Sequence, residues 1–504
     1  MLRMRLWTRG GRGLSWSRRA GVSCAMALVA SLLIPTAAGA AMAATPATTT
    51  PIPTTTTLES SVTSSTYDSP VTFTVTVDSA AGGASGWVEI IDQTNGTVLS
   101  ATTLAASTAT FSTSALAPGT RRIVAKYQGD SASRASSSQV LTIPVAQVSD
   151  AVAYQIDPAH DGRQVKGPLK AASLHQKWSV TLGSKFGIRN VSYPLIAGGR
   201  VLVTVPNAAQ AGSNLFALNA ATGAVDWSVS LGGAGTSNIS KLAYDGRRVF
   251  TITGDGVLTA FVASTGHQIW SRQLPAQFAS VAPPTAYDGL VYVAGQNAGG
   301  TLFAISEAGG GIRWAAPVLN GDDSSPALDY TGAYVSYACH QDYRFSLQGA
   351  ALWHNNQGCE GGGGSTAVLH GSSVYVRGYL DSPLILSKTS GTQVGTFTSA
   401  TEPAFDQTNM YTMQNGNLVA VDPSGRPNRW TFRNGTLGPA PVISGGAVFV
   451  GGSAGKVYAI SATTHAKLWT GTASSPNASS VGSMAVGGGL LLVPAGPSLT
   501  AFGN

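Results

Sequence analysis

A unit that ends in tryptophan recurs through the C-terminal two-thirds of the chain and constrains its fold more than any other feature. The clearest copy is LFALNAATGAVDW, which ends at Trp227, and the next is LTAFVASTGHQIW, which ends at Trp270. In each copy an apolar strand ends in a turn whose glycine supplies a positive φ, and a tryptophan follows four residues later. Two further strand patterns precede each copy. The repeat therefore predicts four-stranded antiparallel blades about 40 residues apart, as in a β-propeller.

The copies predict seven complete blades and an eighth that is split between the two ends of the repeat region. The seven blades end at Trp227, Trp270, Trp314, Trp353, Gly395, Trp430 and Trp469. An eighth begins at Val481 and stops at 499–502, before its turn and tryptophan. Its missing strand is predicted at 178–182, because WSVTL there nearly duplicates the WSVSL that begins at Trp227. We therefore expect Trp178 beside Leu499–Phe502, which removes two open sheet edges and closes the ring.

The repeat resembles that of the quinoprotein (pyrroloquinoline quinone, PQQ) β-propellers, whose pattern is A-x-[DN]-x-x-T-G-x-x-x-W. The resemblance covers residues 178–502 and implies an all-β fold with an eight-bladed propeller. Its tryptophan positions are Trp178, Trp227, Trp270, Trp314, Trp353, Trp430 and Trp469. A tryptophan at this place is expected to wedge between neighbouring sheets and bury a large area. Two copies depart from the pattern: Gly395 replaces the tryptophan expected after Gly391, and His465 replaces a turn glycine.

The N-terminus has the three parts of a secretory signal peptide, predicted at residues 1–44. A basic region ends at Arg19, an apolar stretch follows to Ile34, and small residues around 38–43 fit a cleavage site. The protein is therefore expected to be secreted or associated with the cell wall, with no transmembrane segment after cleavage. A retained membrane anchor is the alternative, and Ser17-Arg18-Arg19 leaves the twin-arginine route open beside the general one.

The basic charge of the chain is concentrated in this predicted signal. The whole sequence has a formal net charge of +7, and six arginines with no acidic residue lie within residues 1–44. The remainder carries 24 basic and 23 acidic residues. A nearly neutral mature chain lacks the electrostatic footprint of nucleic-acid binding.

Three segments are predicted between the signal and the propeller. Residues 45–57 are rich in threonine, proline and alanine and form a linker. Residues 58–146 alternate with period two, most clearly from Val71 to Val77, and resemble the bacterial Ig-like repeats of surface proteins. Such a β-sandwich is interpreted as a spacer, with a binding role as the alternative. Residues 147–175 are predicted as a second linker before a propeller at 176–504.

The second linker contains His160 between Asp157 and Asp161. This spacing suggests a metal site. The alternative is a turn-rich segment that packs on the next domain, and we favour that interpretation.

The most divergent stretch of the repeat contains both cysteines that follow the predicted signal. In an exported protein Cys339 and Cys359 are most simply a disulfide. A redox-active or metal-binding pair is the alternative. A candidate ligand rim near this pair comprises His340, Asp342, His354, Glu360, Asp322 and Asp323. The competing interpretation is a divergent blade braced by the disulfide.

The resemblance leaves several functions open. Quinone-dependent dehydrogenases of this kind carry two adjacent cysteines, a calcium site and a catalytic aspartate, and this chain has no adjacent cysteines. We assign no catalytic residue, no metal and no cofactor. The favoured hypothesis is an exported, non-enzymatic binding or scaffold protein, monomeric, with a protein or glycan partner at the cell envelope. The alternatives are an oxidoreductase dependent on PQQ and Ca²⁺, and a cell-envelope assembly factor.

Overall fold

A computed structural model describes residues 50–504 apart from short segments. The residues outside this description are 1–49, 67–69, 81, 114–115, 118, 147–148, 184–189, 207–212, 233–239, 276–281, 296–299, 322–323, 358–363, 379–381 and 474–479. The predicted signal peptide and residues 45–49 of the first predicted linker thus lie outside the described residues. The end of that predicted linker is not a linker, because a strand of the Ig-like module already begins at Thr54 and pairs with residues 73–79. In the part of the chain that is described, no helix is long and apolar enough to cross a membrane.

The N-terminal module is a β-sandwich of two facing sheets. Its strands are β1 (Thr54–Ser60), β2 (Ser65–Thr66), β3 (Val71–Ser79), β4 (Trp87–Asp92), β5 (Thr97–Thr103), β6 (Thr108–Thr113), β7 (Gly119–Tyr127), β8 (Ser136–Ser137) and β9 (Leu141–Ala146). One sheet has the order β1-β3-β6, and the other β2-β9-β7-β4-β5 with β8 on β7. Alternate residues of β3, including Phe73 and Val75, are fully buried and form one core with Val88 and Ile90 of the facing sheet.

Short elements connect this module to the ring of blades. They are β10 (Arg163–Gln164), a 3-10 turn (Ala171–Ser173) and β11 (His175–Thr181). Strand β10 pairs in parallel with the innermost strand of the seventh blade. Strand β11 belongs to the eighth.

The ring consists of eight blades of four antiparallel strands in the described residues, and β10 adds a fifth, parallel strand to the sheet of the seventh blade. Blades one to four comprise β12 (Leu195–Ala197), β13 (Arg200–Pro206), β14 (Ser213–Asn219), β15 (Val225–Leu231); β16 (Lys241–Asp245), β17 (Arg248–Ile252), β18 (Val257–Val262), β19 (Gln268–Gln273); β20 (Thr285–Tyr287), β21 (Leu290–Gly295), β22 (Thr301–Ser306), β23 (Ile312–Pro317); β24 (Ala327–Asp329), β25 (Gly332–Tyr337), β26 (Gln341–Phe345) and β27 (Ala351–Asn356). Blades five to eight comprise β28 (Val368–His370), β29 (Ser373–Val376), β30 (Leu384–Ser387), β31 (Gln393–Thr396); β32 (Ala404–Phe405), β33 (Met410–Gln414), β34 (Asn417–Val421), β35 (Asn428–Phe432); β36 (Val442–Ser444), β37 (Ala447–Gly451), β38 (Lys456–Ser461), β39 (Lys467–Thr472); β40 (Ala485–Gly487), β41 (Leu490–Ala495), β42 (Ser498–Gly503) and β11.

The eighth blade joins the two ends of the ring. Strand β11 pairs antiparallel with β42, and Trp178 lies opposite Ala501. The innermost strands β40 and β12 are neighbours, so the circle is complete. The closure predicted from the split repeat is confirmed. Because the first strand of the ring completes its last sheet, the outer edge of β42 is covered rather than exposed.

Tryptophans of the outer strands lie against the turn of the next blade. A Cβ added to Gly266 would lie 2.6 Å from Trp227 Cε3, so only glycine leaves room for the indole. The Nε1 of Trp227 donates to Ala263 O at 3.1 Å. The same arrangement places Trp178 on Gly223, Trp270 on Gly310, Trp314 on Gly349 and Trp353 on Gly391. Each tryptophan thus fills the space between two sheets and also hydrogen-bonds to the second one.

Three junctions depart from this arrangement. Trp469 Nε1 donates to Leu174 O at 2.9 Å, next to the 3-10 turn rather than to a turn of a following blade. Trp430 stacks on His465 where five other tryptophans lie on glycine. At Gly395 there is no indole, and the turn of the sixth blade approaches β31 directly. A Cβ on Gly425 would lie 1.9 Å from Thr396 O. The next blade has therefore moved into the space that a tryptophan occupies elsewhere.

Candidate functional site in the axis of the ring

The segment 149–165, which we call the axial segment, runs around the inside of the ring. It begins at blade eight, where Ser149 O accepts from Gly488 N at 2.7 Å. Ala151 exchanges two backbone hydrogen bonds of 2.8 Å with Ile196 of blade one, and Val152 O accepts from Tyr244 N of blade two at 2.9 Å. The segment predicted as a linker is thus bound by the innermost strands from its first residues on.

The rest of the axial segment continues in the order of the blades. Its carbonyl oxygens accept from one inner-strand amide of each of blades four to seven, with the pairs Pro158 O–Leu328 N (2.7 Å), Ala159 O–Leu369 N (2.9 Å), Asp161 O–Phe405 N (3.0 Å) and Gly162 O–Ile443 N (2.8 Å). The Nε2 of Gln164 then donates to Val486 O of blade eight at 3.2 Å. Since inner strands are sheet edges with unpaired backbone groups, these bonds satisfy groups that otherwise need water.

His160 supplies the contact with the third blade. Its Nε2 lies 3.2 Å from Thr285 Oγ1, and its Nδ1 lies 3.2 Å from Ala367 O. Because a carbonyl only accepts, Nδ1 carries the proton and Nε2 accepts from the threonine hydroxyl. The side chain is fully buried, and this burial lowers the pKa of His160 to about 4. The imidazole is therefore neutral at physiological pH and crosslinks two blades.

The carboxyl groups beside His160 accept hydrogen bonds from backbone amides of the axial segment itself. Asp157 Oδ1 accepts from Ala159 N at 3.0 Å, and Asp161 Oδ1 accepts from Arg163 N at 2.9 Å. Among the described residues no group of three or more His, Cys, Asp or Glu side chains is arranged to hold a metal ion. The geometry supports a turn-rich packed segment over a metal site at 157–161.

A buried ionic contact holds the turn of the axial segment. The Tyr154 hydroxyl donates to Glu402 Oε2 at 2.9 Å, and the Arg377 guanidinium binds Glu402 Oε1 at 2.6 Å. Burial by itself raises the pKa of a carboxyl, but the Arg377 charge and these hydrogen bonds outweigh it and lower the pKa of Glu402. A charged Glu402 thus ties the segment to the connection between blades five and six.

The candidate rim is only partly brought together by the fold. His340 Nδ1 lies 3.7 Å from Asp342 Oδ2, and both residues are buried. Asp342 also accepts from Asn355 Nδ2 at 2.9 Å. His354 lies on the opposite face of the sheet, stacked on Tyr343 with ring centroids 4.0 Å apart. The pair His340–Asp342 therefore braces blade four from within, and His354 takes no part in it.

Four other predicted residues lie outside the described part of the chain: Cys359, Glu360, Asp322 and Asp323. Cys339 is buried beside His340 at the end of β25. The pairing of Cys339 with Cys359 stays a prediction.

A buried ion pair that the sequence did not reveal connects the Ig-like module to the ring. Arg121 binds Asp92 of its own module at 2.5 Å and reaches Asp288 of the third blade at 3.6 Å. Thr97 Oγ1 also donates to Asp288 Oδ2 at 3.2 Å. Burial raises the pKa of Asp288 to about 7. The module and the ring belong to one compact unit that spans Thr50–Asn504.

Sequence and structure comparisons agree with this architecture. The profile of the bacterial Ig-like domain (group 3) matches residues 42–146. The profile of the outer membrane protein assembly factor BamB matches residues 211–341 and 342–502, which is more than half of the chain. The chain belongs to the PQQ-like propeller family. None of the curated proteins compared with the sequence matches it.

Solved structures with the same fold include both enzymes and an assembly factor. The quinohemoprotein alcohol dehydrogenase from Comamonas testosteroni is 14% identical and has a TM-score of 0.58 over 70% of this chain and 80% of its own. A europium-containing methanol dehydrogenase is 12% identical, with a TM-score of 0.57 over 70% of this chain and 98% of its own. BamB from Moraxella catarrhalis is 17% identical, with a TM-score of 0.50 over 66% of this chain and 98% of its own. At these identities the likeness establishes the fold of this PQQ-like propeller alone.

The residues around the axis do not fit a quinone. In the described residues the inner-strand amides of blades two and four to seven donate to the chain's own backbone, and at Gly162 the packing leaves no room for a methyl group. A Cβ on Gly162 would lie 2.7 Å from Ala404 Cβ and 3.0 Å from Pro441 O. In this PQQ-like propeller the inner strands are bound by the chain's own axial segment.

Proposed function

We propose that this PQQ-like propeller is an exported, non-enzymatic binding or scaffold protein with a protein or glycan partner at the cell envelope. The observation that carries the proposal is the axial segment, which bonds to the inner strands of every blade and so occupies backbone groups that would otherwise face the axis. Recognition of a partner is then expected on the outer surface of the compact unit Thr50–Asn504. Export is expected from the signal-like N-terminus.

Two faces and a rim of the ring offer exposed apolar side chains for such a contact. Tyr330 is 63% exposed in a turn between the first two strands of blade four, and Leu319 is 54% exposed in the connection that enters this blade. In an up-and-down blade these two positions lie at opposite ends of the strands. Val394 is 62% exposed on the outer strand β31. These are single exposed positions rather than a contiguous patch, and they provide one probe site on each face and one on the rim.

An envelope assembly factor is the second candidate function. It is favoured by the match of residues 211–341 and 342–502 to the BamB profile. In this case the partner is a membrane protein rather than a glycan.

Photo-crosslinking in the native host tests both candidates. A photoreactive amino acid is placed at Tyr330, Leu319 or Val394, one site at a time, and adducts are identified by mass spectrometry. We expect a discrete adduct from one face only, with an envelope protein or a glycan. Adducts with an outer-membrane β-barrel protein favour the assembly role. Equal, diffuse labelling from all three sites contradicts a defined binding surface.

A reconstitution assay tests the enzymatic alternative. The purified full chain is incubated with PQQ and Ca²⁺ and then offered alcohols and sugars with an artificial electron acceptor. We expect no turnover. Dye reduction that depends on both PQQ and substrate overturns the proposal.

A further inference from the structure

The chemistry of the inner strands suggests a ligand class other than a cofactor. The groups that face the axis are predominantly backbone amides, such as those of Tyr244, Leu328 and Phe405, and each donates to a carbonyl of the axial segment. Main-chain donors arranged along sheet edges recognise an extended polypeptide, as in the addition of a peptide strand to a sheet. Strand β10, which pairs in parallel with β36, is a strand addition of this kind within the chain itself.

Specific side-chain positions select which peptide fits. His160 is fully buried and bonds to two blades, and Gln164 Nε2 donates to two carbonyls, Asp150 O at 3.0 Å and Val486 O at 3.2 Å. Gly162 has a φ of +67° and no room for a side chain. A peptide that binds this site is therefore required to carry a histidine, a glycine and a glutamine at the positions of His160, Gly162 and Gln164.

We propose that the axial site of this ring is a peptide-binding site, filled in cis by residues 149–165, and that this peptide takes the place of a quinone as the central ligand of the propeller. The inference goes beyond the proposed function. If the peptide fails to bind in trans, the inference falls and the proposed function stands, because a partner on the outer surface does not need a peptide-binding axis; only PQQ binding would count against both. Its direct consequence is that the site accepts the same peptide in trans once the covalent copy is removed.

The test uses the full chain and hydrogen–deuterium exchange of the inner strands. In one variant residues 150–164 are replaced by a glycine–serine linker of equal length. We expect the amides of Leu328, Phe405 and Ile443 to exchange at least about tenfold faster than in the wild type, the factor that a loss of about 1.4 kcal/mol gives. A synthetic peptide of residues 149–165 should restore the protection. The same peptide with Gly162→Ala should not, because its Cβ meets Ala404.

Two point variants keep the test decisive if the linker variant does not fold. Gly162→Ala combines backbone strain with a steric clash, whereas Gly199→Ala, at a φ of +74° with no atom within 4 Å, has the strain alone. We expect faster exchange of the inner strands only in Gly162→Ala. Equal exchange in the two variants, or a folded linker variant that the peptide does not protect, overturns the proposal. So does a stoichiometric change in the absorbance of PQQ when it is titrated with Ca²⁺ into the wild-type chain.

Discussion

Trp430 stacks on the imidazole of His465, with ring centroids 4.8 Å apart and an angle of 22° between the planes. In five other junctions the partner of the tryptophan is a glycine. Trp430 Nε1 has no hydrogen-bond partner among the described residues, whereas Trp227 Nε1 donates to Ala263 O. The histidine thus preserves the aromatic contact between blades but not the hydrogen bond.

This difference predicts unequal effects of removing the two indoles. Trp227→Ala should lower the free energy of unfolding by about 3 kcal/mol, because it removes a large packed side chain at a blade junction. Trp430→Ala should cost about 1 kcal/mol less, because no indole hydrogen bond is lost with it. Urea unfolding of the two variants measures the difference. If Trp430→Ala is the more damaging variant, stacking on His465 outweighs the hydrogen bond.

Restoring the family residue at position 395 should destabilise the ring. The turn of blade six occupies the space of an indole, and Ser424 O lies 3.2 Å from where a Cβ on Gly395 would stand. Gly395→Trp is therefore expected to lower the unfolding free energy by about 1–3 kcal/mol through overpacking. Val394→Trp is the matched control, because residue 394 is exposed. Thermal unfolding compares the two variants, and a rise in Tm for Gly395→Trp contradicts the interpretation.

The contact between the Ig-like module and the ring should weaken as the pH rises from about 4 to about 7. Burial raises the pKa of Asp288 from its ordinary value of 3.8 to about 7, while Arg121 opposes this shift and Asp92 and Asp245 add to it. A raised folded-state pKa means that the folded chain holds a proton that the unfolded chain has lost. The stabilisation is therefore fully present below about pH 4 and is lost as the pH approaches 7, with about 4 kcal/mol as the upper bound.

Asp288→Asn tests this linkage, because an amide keeps the neutral form at every pH. The urea midpoint of this variant should fall less between pH 5 and pH 8 than that of the wild type. Asp78→Asn, on the exposed surface of the module, is the control and should keep the wild-type slope. Parallel slopes in Asp288→Asn and the wild type contradict a role for this carboxyl.

The predicted disulfide can be tested independently of the rest of the fold. Non-reducing peptide mapping should recover Cys339 and Cys359 in one linked peptide. In the chain-entropy treatment, closing a loop of this size stabilises by about 3 kcal/mol, so Cys359→Ser should lower the unfolding free energy by about that amount. Recovery of Cys359 as a free thiol in the oxidised protein contradicts the pairing.

The blades were predictable because their determinants are local and repeated. Period-two alternation, turn glycines and the near-duplicate at Trp178 of the outer strand that contains Trp227 appear directly in the sequence. The candidate rim was predicted less well, because nearness in sequence does not decide the face of a strand. Asp342 and Tyr343 are adjacent in one strand, so their side chains point to opposite faces of the sheet. His354 lies directly opposite Tyr343 in the neighbouring strand and therefore shares the face of Tyr343, not that of Asp342.

Neither the path of the axial segment nor the contact between the Ig-like module and the ring could be predicted, because neither depends on a repeated sequence pattern. The bonds of residues 151–162 to the blades run mostly through backbone atoms, which every sequence possesses. Arg121 and Asp288 lie 167 positions apart, and nothing in the sequence around either residue distinguishes it from an ordinary charged surface residue. The one sequence feature that set this predicted linker apart was His160 between Asp157 and Asp161, which indicated either a metal site or a segment packed on the next domain.

The position of the axial segment in the chain also sets an order of assembly. Residues 149–165 precede every blade, so a ribosome completes them before any of the ring exists. The axial segment is therefore present when each blade forms, and no free end has to be threaded through a finished ring. The circle closes when the last hairpin, β41–β42, pairs with β11.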